Sequence, residues 1–254
     1  MSEENIFDGQ IHHPFRCLVA GPSQSGKSTF VRDLMLRQGD IIDVKFDYIT
    51  IVLGTEENKN EILSSMRKRF PPGVVEIIEL MKSYSSPEEM KSQFPLEFEK
   101  YLKKKSALNK KGCVVFDDLM SELAECGLLV SLFTRFSSHY SISTIHITQN
   151  VFFKSGGKHG SDNVTIYRNT HVLVLFKNPM DNTIMATIAK RMNASKYADL
   201  IKLLNHIVDK HRYVVIHGDF NRPDRLKYSS DIFRTHPIPH QTIYELVTPA
   251  KKGD

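Results

Sequence analysis

The sequence predicts an α/β fold, a mostly parallel β-sheet with helices on both faces. Three observations carry the prediction. Short apolar runs alternate with helical stretches along almost the whole chain, as strand–helix–strand units do when their strands lie parallel. Several runs, among them YITIVL, CVVF and HVLVLF, are near-continuous rather than alternating, as expected of strands covered on both faces. Between the first such run and the first helix stands a loop bracketed by Gly21 and Gly26, where an open parallel sheet can meet an anion.

In chain order, residues 16–20 (RCLVA) form the first strand. Residues 27–37 form a helix with Phe30, Leu34 and Met35 on one face. Residues 48–54 (YITIVLG) are a second strand, and 57–70 read as an amphipathic helix. The Pro-Pro-Gly turn at 71–73 leads into a short strand over 74–80 (VVEIIEL). The helix over 87–104 opens with a proline and two glutamates, which suit a helix start. Residues 113–117 (CVVFD) are a buried strand ending in acids, and a helix over 121–137 takes Ser121 as its cap. TIHIT at 144–148 is a strand and KSGGKHG at 154–160 a flexible loop. HVLVLFK at 171–177 is a further strand, 182–206 holds one or two helices, and YVVIH at 213–217 is the last clear strand. Beyond Pro237 the proline-dotted tail reads as irregular. No linker interrupts 16–233. The expected organisation is an N-terminal extension over 1–13, one domain over 14–236 and a C-terminal tail over 237–254.

The 254 residues are 41% hydrophobic and 25% charged, enough to bury a substantial core. The net charge of +5 suits a polyanionic partner. An odd cysteine count (Cys17, Cys113, Cys126) without CxxC spacing argues against a disulfide scaffold or zinc site and for a reducing, intracellular setting. The start of the chain has neither a basic nor an apolar leader region, and no apolar run approaches the length of a membrane span, so no secretory signal and no membrane partner are expected.

The loop GPSQSGKS, residues 21–28, fits G-x-x-x-x-G-K-[ST]. By chance the pattern arises in roughly one chain in a hundred of this length, and its position between a strand and a helix makes chance weaker still. Gly21 and Gly26 let the backbone curl round a phosphate. The amides of Pro22's successors, Ser23, Gln24 and Ser25, with those of Lys27, Ser28 and Thr29, form an anion nest at the helix start. Lys27 would bridge the β- and γ-phosphates of ATP, and the Ser28 hydroxyl would ligate Mg²⁺.

In CVVFDD, residues 113–118, two aspartates close an apolar strand. Asp117 suits a metal ligand acting through water. Asp118 suits the general base that polarises an attacking water, although the acid at this place in NTP-driven motors is usually the longer glutamate. Taken alone, an acidic turn after a strand is commonplace. A second acid here separates hydrolases from small-molecule kinases, which pass phosphate to a bound acceptor. The strand STIHITQN ends in Thr148, Gln149 and Asn150. In a parallel sheet its carboxyl end shares an edge with the phosphate loop, which makes Gln149 the candidate sensor of the γ-phosphate and the water. A polar strand cap is the plainer account of the same residue. Hydrolysis also needs positive charge at the γ-phosphate, often an arginine from a neighbouring subunit. Arg135 and Arg168 are the preferred candidates and Arg191 a third, each also readable as a solvated surface arginine. His139 suits structure or DNA contact, the glycine-rich basic loop at 154–160 suits a phosphate backbone, and the lysines at 103–105, 110 and 111 suit a solvated face.

These parts in this order, GPSQSGKS, VVFDDL, FTRFSSHYSISTIHITQNVF and NTHVLVLFKNPMD, resemble the FtsK–HerA class of P-loop ATPases. The likeness is greatest to the genome-packaging ATPases of the Polinton/Maverick group, which are related to poxvirus and virophage packaging enzymes. It spans about residues 14–235, and the part from Arg135 through TQN to FKNP is the specific one. The resemblance implies a RecA-like (ASCE) sheet core, a homo-oligomeric ring (pentamer or hexamer), and ATP-driven translocation of double-stranded DNA into a capsid, with a capsid or portal protein as partner. It implies an intracellular site of action, in the host nucleus or a cytoplasmic viral factory, and association with the virion. Lys27, Ser28, Asp117, Asp118 and Gln149 match the catalytic pattern of the class. The residues themselves leave open a helicase-type remodelling motor, a small-molecule kinase or nucleotide switch, and a scaffold with a vestigial site.

Overall fold

The computed structural model describes residues 10–54, 65–119, 123, 126–152, 162–181, 183–193, 195–219, 226–233, 235–236, 238–239 and 242–244. β1 (Arg16–Ala20) leads through the glycine loop into α1 (Lys27–Leu36). Then come β2 (Tyr48–Leu53), β3 (Val75–Glu79), α2 (Leu80–Ser83), α3 (Pro87–Ser106) and β4 (Gly112–Asp117). A helical stretch follows, made of α4 (Leu128–Ser131), a π-turn (Leu132–Phe136) and α5 (Ser137–His139). β5 (Ile142–Thr148), α6 (Asp162–Arg168), β6 (Val172–Phe176), α7 (Thr183–Met192), α8 (Tyr197–His211) and β7 (Tyr213–His217) come next. The chain closes with β8 (Tyr228–Ser230), β9 (Thr235–His236), β10 (Ile238–Pro239) and β11 (Thr242–Tyr244).

Among the described residues nine strands form one sheet in the order β11-β8-β7-β6-β1-β5-β4-β2-β3. Every pairing from β6 to β3 is parallel. β7, β8 and β11 extend the β6 edge as antiparallel strands. β5 stands between β1 and β4, so one strand separates the loop strand from the acidic strand. This is the mostly parallel α/β arrangement that the sequence predicts.

Alternate residues of each strand point to opposite faces, and each face has its own cover. Cys17, Val19, Ile51, Val115 and Ile147 pack on one face with Phe30, Leu34 and Met35 of α1. On the other face Val52, Val114 and Phe116 lie with Met90, Phe94, Phe98 and Leu102 of α3. Further along that face Leu18, Leu173 and Val214 lie with Leu200, Leu204 and Ile207 of α8. The buried residues of α3 recur every fourth position, the helical repeat that keeps a stripe on one face. Its start falls at Pro87, where the sequence predicts it, and the structure adds a cap that the sequence reading did not name. The Ser86 hydroxyl accepts from Glu89 N at 3.2 Å, and the Glu89 carboxylate accepts from Ser85 N at 2.8 Å.

The structure departs from the expectations in five places. Within 57–70, residues 57–64 lie outside the described residues, and Ser65–Lys68 is a 3₁₀ turn with Met66 buried. The expected helix over 121–137 is not continuous: Gly127 takes φ +66, and α4 starts after it. The expected cap, Ser121, lies outside the described residues, as does the loop at 154–160. An unexpected short helix, α6, precedes β6. The sheet does not end with β7: Tyr228–Ser230 and Thr242–Tyr244 add two further strands, so part of the tail beyond Pro237 is ordered by pairing. Residues near the N-terminus also join the fold, since Ile11 is buried and bridges to Ile42.

His146, in the middle of β5, is buried with its ring near the Phe116 backbone, and burial holds its pKa down to about 4 from the ordinary 6.5. Above pH 6.5 the ring is neutral both folded and unfolded. Between 6.5 and 4 only the unfolded chain takes up the proton, so stability falls as the pH falls, and below about 4 both states are protonated. At about 1.4 kcal/mol per unit, the loss reaches about 3 kcal/mol by pH 4. Urea unfolding of His146→Gln at pH 7 and pH 4 is expected to show an acid-induced loss smaller than the parent's by about that amount. An unchanged loss would place the acid sensitivity elsewhere, at His13 or His171, whose pKa values burial also lowers.

Candidate functional site at the carboxyl edge of the parallel strands

Parallel pairing sets the carboxyl ends of β1, β5, β4 and β6 along one edge of the sheet. The loop over 21–28 leaves β1 there. Gly21 N donates to Thr148 O at 3.3 Å, which ties the loop to the end of β5. Gln24 at φ +62 and Gly26 at φ +104 both take left-handed backbone, the geometry by which successive amides turn towards a common centre. Ser23 and Gln24 are exposed, and Ser25 N donates to Pro22 O at 3.3 Å. No side chain caps α1. Its first backbone bond runs from Phe30 N to Gly26 O, so the positive end of the helix dipole is left to an anion. Ser28 and Thr29 are half-buried in this first turn.

Gly21 has a second reason to be glycine. A Cβ there would lie 2.5 Å from the Cβ of Phe176 at the end of β6. Phe176 also stacks edge-on against Phe30 of α1, with ring centroids 6.2 Å apart. It therefore braces the loop from the β6 side. Sequence reading gave Phe176 no role; its one signal was its place at the end of an apolar strand.

Lys27 is 9% exposed. Its ammonium donates to Gly21 O and Pro22 O, each at 2.8 Å. Burial lowers its pKa, and the charges of Asp118 and Asp117 oppose that shift. The two carboxylates thus lie within electrostatic reach of the lysine and favour its cationic form. Asp117 ends β4 and is half-buried, in register with Ile147. Asp118 follows it at φ +51, a conformation that aspartate tolerates better than most residues. Asp118 N donates to Ile147 O at 3.0 Å, and the Asp118 carboxylate accepts from Gln149 Nε2 at 2.7 Å. The structure therefore brings together Lys27, Asp117, Asp118 and Gln149. Ser28 and Asp117 supply the hydroxyl and carboxylate oxygens that suit Mg²⁺.

The arginines lie elsewhere. Arg135 sits in the π-turn, exposed, with its guanidinium 4.7 Å from the Phe136 ring centroid and its charge felt by Glu99 and Lys103. Arg168 ends α6, exposed, shortly before β6. Both belong to the amino ends of the strands, where Arg16 at the start of β1 donates to Phe133 O at 2.7 Å. Neither reaches the phosphate loop of its own chain. Arg191 stacks over Phe152, 4.5 Å from the ring centroid, and over Tyr167. His139 is exposed with its ring against Tyr140. Lys103 pairs with Glu99 at 3.1 Å, and Lys105 lies over the Tyr48 and Tyr101 rings.

Fold and site together define an α/β protein with a parallel-sheet edge built around a glycine–lysine loop, two aspartates and a glutamine. No family model and no curated protein matches the chain. Among solved structures it is similar to EssC (ATPases 2 and 3) from Geobacillus thermodenitrificans, with 13% identity and a TM-score of 0.44. That match covers 63% of this chain and 31% of the EssC chain.

Proposed function

We propose that the protein is an ATPase that couples hydrolysis to movement along double-stranded DNA, and that it packages viral DNA into capsids. The observation that carries the hydrolytic part is the convergence of Lys27, Asp118 and Gln149 on one edge. Lys27 and the loop amides hold the phosphates of ATP. Ser28 and Asp117 hold Mg²⁺. Asp118 takes the proton of the attacking water, and Gln149, already bonded to Asp118, aligns that water against the γ-phosphate. A small-molecule kinase, which passes phosphate to a bound acceptor, needs no water-activating acid at this place.

The arginines support assembly into a ring. Arg135 and Arg168 lie at the edge opposite the phosphate loop, so either can complete a site only across a head-to-tail contact between subunits. Such contacts close into a ring when the rotation allows it, here a pentamer or hexamer. The net charge of +5 and the exposed lysines around Lys103 support a DNA partner. A capsid or portal protein, and action in the nucleus, a viral factory or the virion, follow from the packaging role. Among the described residues no helix is long and apolar enough to cross a membrane.

The test is ATP hydrolysis by the full chain with and without duplex DNA. Duplex DNA is expected to raise the rate several-fold, with single strands less effective. Hydrolysis indifferent to DNA would overturn the motor reading. Stronger stimulation by single strands or forked duplexes would favour unwinding over packaging.

A further inference from the structure

We infer that Phe233, in the segment that follows β8, is a positioning residue of the phosphate loop and acts through Phe30 and Phe176. The inference rests on residues 21–28 holding the phosphates of ATP. It adds that the loop leans on an aromatic stack whose far end comes from the C-terminal part of the chain. The stack starts at the loop itself. Phe176 meets both bracketing glycines: an added Cβ would lie 2.5 Å from Phe176 Cβ at Gly21 and 3.5 Å from Phe176 Cε1 at Gly26. Gly26 takes its left-handed φ of +104 to turn the amides inward. The Phe176 ring therefore lies against a residue on which the anion nest depends.

Phe30 is the next member. It lies in the first turn of α1, and its N–H bonds Gly26 O at 2.9 Å, so its backbone is tied to the end of the loop. Its ring meets Phe176 at 6.2 Å between centroids, Tyr213 at 5.2 Å and Phe233 at 5.0 Å, each edge-on. Phe30 and Phe176 are buried, and Phe233 is half-buried. Edge-on aromatic pairs are favoured arrangements, and in a close-packed interior a displaced ring displaces its neighbours. Phe233 is not held by packing alone. Arg37, just past the end of α1, donates to Phe233 O and sets its guanidinium 5.9 Å from the ring centroid. Two residues earlier, Asp231 lies 2.7 Å from His211 Nδ1 of α8, with both side chains largely buried. The segment is thus pinned to α8 at one end and to α1 at the other.

The consequence is for binding rather than for the chemical step. Loop amides hold phosphate well when they are already aimed at it, because preorganised dipoles need no rearrangement as the ligand arrives. Asp118 and Gln149 follow other strands, β4 and β5, and are bonded to each other. Loosening the stack therefore weakens the hold on phosphate and leaves the water-activating pair in place.

The test measures equilibrium binding of inorganic tripolyphosphate and of ATP, each with Mg²⁺, to the full chain and to variants that circular dichroism shows to be folded. Phe233→Ala is expected to weaken both ligands about ten-fold, while the single-turnover rate at saturating ATP stays at the parent's. Phe233→Tyr keeps the ring and is expected to keep the parent's affinity. Phe176→Leu is expected to weaken both ligands as well. The double variant is expected to be no weaker than the worse single one, as for residues that act through one another. Leu102→Val, a core change on the opposite face of the sheet, is expected to lower the urea midpoint and leave affinity alone. If Phe233→Ala does not fold, Arg37→Met, which removes the guanidinium that holds Phe233, carries the same prediction at a smaller size. Unchanged affinity in the folded variant, strictly additive losses, or an equal loss in Leu102→Val would each overturn the role of Phe233 and leave the phosphate cradle standing. A parent that binds neither ligand would overturn the cradle, and this role with it.

Discussion

Replacing Lys27 by alanine is expected to reduce ATP hydrolysis at least 100-fold and to weaken nucleotide binding with it. Lys27 is the cation placed inside the loop, and burial makes its charge act at low effective dielectric. Loss of one preorganised charge or donor at a transition state costs about 10²–10³ in rate. Here the same change also removes the partner of Gly21 O and Pro22 O and the positive charge that Asp117 and Asp118 act on. Lys27→Arg is expected to fail almost as badly, because the planar guanidinium cannot replace a compact ammonium between two carbonyls. The measurements are steady-state hydrolysis and equilibrium ATP binding, with circular dichroism to show that the variants stay folded. A folded Lys27→Ala protein that hydrolyses ATP at the parent rate would end the phosphate-loop reading.

The second large effect belongs to Asp118. Asp118→Asn is expected to lower kcat by about 10²–10⁴, the usual contribution of a positioned general base. ATP affinity should be retained or rise, because removing a carboxylate beside the γ-phosphate relieves like-charge repulsion. The amide still hydrogen-bonds Gln149 but cannot take a proton, so binding and chemistry separate. Asp118→Glu restores a base one methylene longer and is expected to recover part of the rate. Single-turnover kinetics alongside binding distinguish the outcomes. A parallel fall in affinity and rate would make Asp118 a structural support of the Asp118–Ile147 turn rather than the base.

How much of this was legible depends on the range over which each feature is encoded. The parallel core strands, α1, α3 and the phosphate loop were readable because each is specified by near neighbours. β6 is an unbroken apolar run, α3 opens with Pro87 and two glutamates, and the loop has its two glycines and Lys27. Gly127 broke an expected helix because a single left-handed residue overrides a favourable apolar pattern on either side. β8 and β11 were missed because YSS and TIY are too short and mixed to signal strands, and they become strands only by pairing with β7 and with each other.

The site divides in the same way. The sequence alone determined which side chains can do the chemistry: Lys27 and Ser28 in the loop, Asp117 and Asp118 at one strand end, Gln149 at another. It also determined that these strands run parallel, and so that their ends share an edge. Only the tertiary structure decided that β5 comes between β1 and β4, which brings Gln149 onto Asp118. It decided too that Phe176 packs over Gly21, and that Arg135 and Arg168 lie at the far edge. The physical reason is separation along the chain. A strand, a cap or a tight loop is held by forces between neighbouring residues. Strand order and the contacts it creates are settled by packing between residues that no local pattern connects.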